Sequence, residues 1–109
     1  MTVNEYQKAA MVTLNPALDQ KDVLINGVMG LCGESGEVID IVKKHLAQGH
    51  ELDVEKIAKE LGDVAWYLAE TATAIGYDLE TICQMNLDKL NRRYPKGFST
   101  DCSVNRTEE

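Results

Sequence analysis

Four stretches of this chain space their apolar residues every three or four positions, and none alternates apolar with polar as a half-buried strand does. That pattern restricts the fold to all-α. The first stretch runs from about Val3 to Leu14 and stops before Asn15-Pro16, a pair that disfavours helix on its amino side. The second starts near Asp22, carries Leu24, Val28, Leu31, Val38, Val42 and Leu46 as one apolar stripe, and ends at Gln48-Gly49. Asp53 caps a third helix whose seam is Ile57, Leu61, Val64, Leu68 and Ile75, with Gly76 closing it. Asp78 caps a fourth, which runs through Arg93 with Leu79, Ile82, Met85 or Asn86, and Leu90 on its seam, until Pro95 and Gly97 break it. An antiparallel bundle of four main helices follows, one domain over residues 1–95, with the polar, aperiodic stretch 96–109 expected as a flexible tail.

A chain of 109 residues can bury a core without disulfide or metal staples. Its net charge of −7 repels a phosphate backbone, so a nucleic acid polymer is not expected as a partner. Cys32, Cys83 and Cys102 are odd in number and form no Cys-x-x-Cys pair, which points to a reduced, cytoplasmic protein in which Cys32 and Cys83 are small buried apolar residues. No apolar run approaches the ~20 residues that span a bilayer, and the amino terminus lacks the regions of a signal peptide, so no membrane association is expected. The Asn105-Arg106-Thr107 sequon carries no meaning in such a chain.

Helices two and three each hold a pair of acids three residues apart, Glu34 with Glu37 and Glu60 with Asp63. At about 100° per residue each pair projects from one face, and all four acids fall at the edge of their helix's apolar seam. A hairpin pivoting about Gln48-Gly49 sets Glu34 level with Asp63 and Glu37 level with Glu60. Four carboxylates converging at a half-buried helix joint repel one another unless something positive sits between them. An all-oxygen cage suits Mg²⁺ or Mn²⁺ rather than zinc, and His45 and His50 lie outside it. The plain alternative is that the acids are ordinary solvated side chains.

Gly27, Gly30, Gly33 and Gly36 leave a ledge without side chains beside these acids. Each interior glycine costs a helix roughly 0.5–1 kcal/mol against alanine, so the ledge implies close approach, either by a neighbouring helix or by a ligand held at the acids. Tyr67 lies along the acid face of helix three and serves a ligand or ordinary packing equally well, whereas Trp66 is better suited to core or subunit-interface packing than to stacking on a base. Lys89, Arg92, Arg93 and Lys96 crowd the end of helix four, and Asn86, Lys89 and Arg93 share a face. Cations favour a helix C-terminus in any case. If that face meets the acidic hairpin, metals and fixed cations together suit a polyphosphate.

In these features the chain resembles the MazG-like family of all-α nucleotide pyrophosphohydrolases, marked by Glu-Glu-x-x-Glu on one helix and Glu-x-x-Asp on the next. Here the pattern reads Gly33-Glu34-Ser35-Gly36-Glu37, then, after 22 intervening residues, Glu60-Leu61-Gly62-Asp63, and the likeness extends from "EYQKAA" to "NLDKLNRRYPKGFS". The resemblance implies Mg²⁺-dependent, or Mn²⁺-dependent, hydrolysis of a nucleoside triphosphate to monophosphate and pyrophosphate, as nucleotide-pool control. It implies Glu34, Glu37, Glu60 and Asp63 as metal ligands, phosphate contacts from Asn86, Lys89 and Arg93, and Tyr67 lining the site. It also implies a homodimer or homotetramer. The first glutamate of the family's doublet is Gly33 here, which leaves Glu34 and Glu37 as the candidates to activate water. A related phosphoribosyl-nucleotide pyrophosphohydrolase and a non-enzymatic helical interaction domain are the competing readings.

Overall fold

The computed structural model describes residues 1–106 and is all-helical over them, in the order α1 Val3–Met11, α2 Gln20–Ala47, α3 Val54–Ala74, α4 Leu79–Arg93 and α5 Thr100–Val104. Each start is capped by a side-chain oxygen that accepts from a backbone N–H inside the first turn: Thr2 from Glu5, Asp19 from Asp22, Asp53 from Lys56, Asp78 from Thr81 and Ser99 from Cys102. Thr2 and Glu5 close a reciprocal capping box. The turns after α2 and α3 need a left-handed residue, supplied by Gly49 at φ +74° and Gly76 at φ +80°.

Sequence spacing located all four main helices. It also placed the stretch from 96 onward in a loose tail, and within it the structure holds the single-turn α5 capped by Ser99. Residues 107–109, with Thr107 of the sequon, lie outside the described residues.

A long hairpin of α2 and α3 forms the frame, α2 alone reaching about 42 Å. Helices α1 and α4 pack on the C-terminal half of α3, where Ala10, Ala69, Ala72 and Leu79 make the core with Tyr6, Met11, Trp66 and Ile82 against them. Gln7 ties this end together: its Nε2 donates to Thr73 Oγ1 and to the Tyr77 carbonyl, and its Oε1 accepts from Leu79 N–H at 2.7 Å.

The α4 seam read from the sequence meets the core through Leu79 and Ile82, whereas those of α2 and α3 are covered only in part, with Leu31, Val38, Val42, Ile57 and Val64 half-buried. On α2 the buried residues are Val23 and Gly27, while Val28 and Leu46 stay exposed. On α3 Ala69, Glu70, Ala72 and Ala74 are buried, while Leu61, Leu68 and Ile75 are exposed. The two helices approach closely at the glycines of α2, and the outer part of each bulky stripe is left uncovered. The radius of gyration, 17.1 Å, exceeds the about 13 Å of a compact chain of this length. Cys32 and Cys83, expected inside, are also exposed, because they lie on helix faces that nothing covers.

Candidate metal centre

Two of the four ledge glycines explain how α2 and α3 come so close. A Cβ on Gly27 would collide with Thr71, and one on Gly30 would collide with the Tyr67 ring. Around Gly33 and Gly36 nothing lies within 4 Å of the corresponding position. Helix packing therefore accounts for the first two glycines, and open space remains beside the last two, next to the acids.

Beyond that tight contact Glu34 of α2 meets Glu60 and Asp63 of α3, with one oxygen of each lying within 4.8 Å of the others. Glu34 and Glu60 are half-buried and Asp63 is exposed. Glu34 is held above its ordinary carboxyl range, first by its hydrogen bond to Glu60, then by desolvation, and then by the negative charges of Asp63, Glu60 and Glu37. Glu37 is exposed and stands outside the three-acid group, although near enough for its charge to act on Glu34. Like charges gathered at a helix joint with a shared proton are a site that a hard cation would relieve, and the donor set is oxygen only.

An open cavity of about 350 Å³ adjoins the acids, lined by Glu34, Asp63, Trp66 and Tyr67. Tyr67 packs edge-on against Trp66, with ring centroids 5.1 Å apart. The indole of Trp66 is pinned to α1 by Nε1–H donation to Thr13 Oγ1 at 2.8 Å and to the Ala10 carbonyl at 3.2 Å. Trp66 thus packs on the core, as preferred from the sequence, and also lines the acidic cavity.

Helix α4 lies elsewhere. It packs on α1 and α3, and Asn86 and Lys89 line a second cavity of about 460 Å³ with Met85, Asp88 and Arg92. Arg93 lies 5.9 Å from the centre of the Tyr94 ring. Within one chain these side chains and the acid group do not share a cavity.

One pair of residues at this joint went unremarked in the sequence. Glu70 is fully buried, and Asn26 donates to both of its oxygens. The signal was present, since Glu70 prolongs the stripe of Glu60, Asp63 and Tyr67 by one more step of three, but an isolated acid among alanines carries no motif.

The model of the MazG nucleotide pyrophosphohydrolase domain matches residues 26–98, most of the chain. The chain belongs to the MazG family. The matched span begins at Asn26 and takes in both acid pairs of this MazG domain together with the basic end of α4. The chain is also similar to the Gene 37 protein of Mycobacterium phage L5, 36% identical over 114 residues that cover 97% of this chain and all of that protein. No solved structure matches it. No helix among the described residues of the MazG chain is long and apolar enough to cross a membrane.

Proposed function

We propose that the protein hydrolyses nucleoside triphosphates, ribose or deoxyribose, to the monophosphate and pyrophosphate with Mg²⁺ or Mn²⁺, as a control on nucleotide pools. The observation that carries this reading is the three-carboxylate group on a MazG domain: Glu34, Glu60 and Asp63 present oxygens within 4.8 Å of one another. Those three, with Glu37 beside them, would hold the cation. When bound, a divalent ion supplies the positive charge that water attack on a triphosphate requires.

The chain's own residues do the rest. Glu37, exposed one turn from Glu34, takes the proton of the attacking water, with Glu34 the other candidate. Oxygen from water bonds to the α-phosphorus, the bond to the bridging oxygen breaks, and pyrophosphate leaves with that oxygen. Trp66 and Tyr67 wall the cavity with ring surface and exclude water from one side. Asn86, Lys89 and Arg93 take the remaining phosphate charge.

Because Asn86 and Lys89 face a separate cavity in one chain, the phosphate contacts come from α4 of a second copy. Exposed surface favours self-association. The chain exposes 7911 Å², against about 6,000 Å² expected for a monomer of its mass, an excess of about twice the roughly 800 Å² that each partner buries in an ordinary interface and in the range of an obligate one. Val38, Ile39, Val42 and Leu46 leave an almost wholly apolar groove along α2.

Incubation with Mg²⁺ and a panel of nucleotides, with products resolved by phosphorus NMR, tests the reaction. Monophosphate with pyrophosphate is the expected outcome; orthophosphate, or no release from any nucleotide, overturns it. Mixing Asp63→Asn protein with Lys89→Ala protein tests the shared site, because two inactive chains recover activity only if each supplies what the other lacks.

A further inference from the structure

Among the described residues Glu70 is the one large side chain wholly withdrawn from solvent, at 0% exposure. Its two oxygens accept from a single group, Asn26 Nδ2, at 2.9 and 3.0 Å. Ion pairs join Lys43 and Lys44 to Asp40, and Lys59 to Glu55, and Glu70 takes no part in them. A polar pair with one buried carboxylate is a poor source of stability compared with apolar side chains of similar volume. Its best-attested use is to specify one register of two packed helices.

Register needs specifying here, because the glycine ledge repeats. Gly27, Gly30, Gly33 and Gly36 recur every three residues, so a slide of α3 by three positions along α2 would carry the Tyr67 ring from Gly30 to Gly33 and Thr71 from Gly27 to Gly30. The close helix contact would survive that slide. The slide would carry Asp63 from the level of Glu34 to that of Glu37 and Glu60 to the level of Asp40, so the group of Glu34, Glu60 and Asp63 would be broken up. The Asn26–Glu70 bonds would not survive it: a slide of about one turn, roughly 5 Å, takes the donor out of reach and leaves a buried carboxylate unpaired.

We propose that Asn26 and Glu70 are positioning residues whose clasp fixes the α2–α3 register in which Glu34, Glu60 and Asp63 converge on one cation. The proposal rests on the metal-site reading given above. Neither residue touches the cation; each acts through the helix that carries it.

The test compares the wild type with Asn26→Leu/Glu70→Leu, Asn26→Leu alone and Glu70→Gln, by thermal melting and by Mn²⁺ titration followed through water-proton relaxation. Replacing both partners with apolar groups is expected to leave the melting temperature unchanged or higher while Mn²⁺ affinity falls by about tenfold or more. Glu70→Gln keeps an acceptor for Asn26 and should retain wild-type affinity. A merely structural pair would move the melting temperature and leave the affinity alone, so wild-type Mn²⁺ affinity in the double variant overturns the proposal. Should that variant not fold, Asn26→Leu, at an exposed helix position, decides by the same affinity criterion.

Absence of Mn²⁺ binding by the wild type would defeat the metal reading by itself. The crystal structure of the double or the single variant then judges the clasp. Acids still within 4.8 Å overturn it, and a displaced α3 upholds it.

Discussion

The two ends of the α2–α3 joint are built on opposite physics. At one end Gly27 and Gly30 admit Thr71 and Tyr67, Asn26 donates to Glu70, and α1 and α4 cover the alanine face of α3. At the other, about 12 Å along the helix, Glu34 meets Glu60 and Asp63, and the glycines beside them face open space. One end is complementary in shape and fully partnered; the other gathers like charge that only a cation or a shared proton relieves. The lesson is a division of labour within a single pair of helices, in which the fitted end carries the fold so that the repulsive end can be held in place for binding.

The sharpest way to break that contrast is to disarm the acid end. Glu60→Gln or Asp63→Asn is expected to lower turnover by roughly a thousandfold or more, since charge stabilisation worth several kcal/mol is lost. Without metal the same variants should melt at the wild-type temperature or above it. Activity retained in either variant would remove these residues from the site.

Adding Mg²⁺ at about a hundred times its dissociation constant should stabilise the wild type by about 2.7 kcal/mol, read as a shift in thermal melting, and should leave Asp63→Asn unmoved. At the fitted end, Gly30→Leu forces the Tyr67 ring off α2 and is expected to destabilise by about 1–3 kcal/mol in denaturant titration. Gly33→Ala adds a methyl group where nothing stands within 4 Å, so it should stabilise the chain by about 0.5–1 kcal/mol. If Gly33→Ala nevertheless loses activity, the open ledge belongs to the substrate or to a second copy rather than to the helix.

The smallest effect is one of pH. The proton on Glu34 is bound more tightly in the folded chain than in the unfolded one, so its contribution to stability is full below the ordinary carboxyl range and fades as pH rises through the raised value. Asp40, lowered by hydrogen bonds to Lys44 and Lys43, and Asp78, lowered by the Thr81 backbone, act in the reverse sense and lose their contributions as pH falls through their depressed values. Denaturant titrations of metal-free protein from about pH 4 to about pH 7 should therefore show a decline in the wild type that is missing from Glu34→Gln.

Much of this was legible in the chain. Caps such as Asp53 and Asp78, and breakers such as Gly49 and Gly76, act over a few residues, so local sequence determined where the four main helices begin and end. Spacing by three placed each acid pair on one face, and the level pairing of Glu34 with Asp63 follows from a hairpin of nearly fixed turn length.

The tertiary structure decided which faces meet. Periodicity identified the bulky stripes on α2 and α3 as apolar, yet the closest contacts between the helices are Gly27 with Thr71, Gly30 with the Tyr67 ring and the Asn26–Glu70 pair, because close backbone approach needs positions without a side chain on α2. It also decided that α4 carries Asn86 and Lys89 into a separate cavity from the acids. A residue's period names the face it occupies on its own helix; what that face touches depends on how the other helices pack, and no local spacing records it.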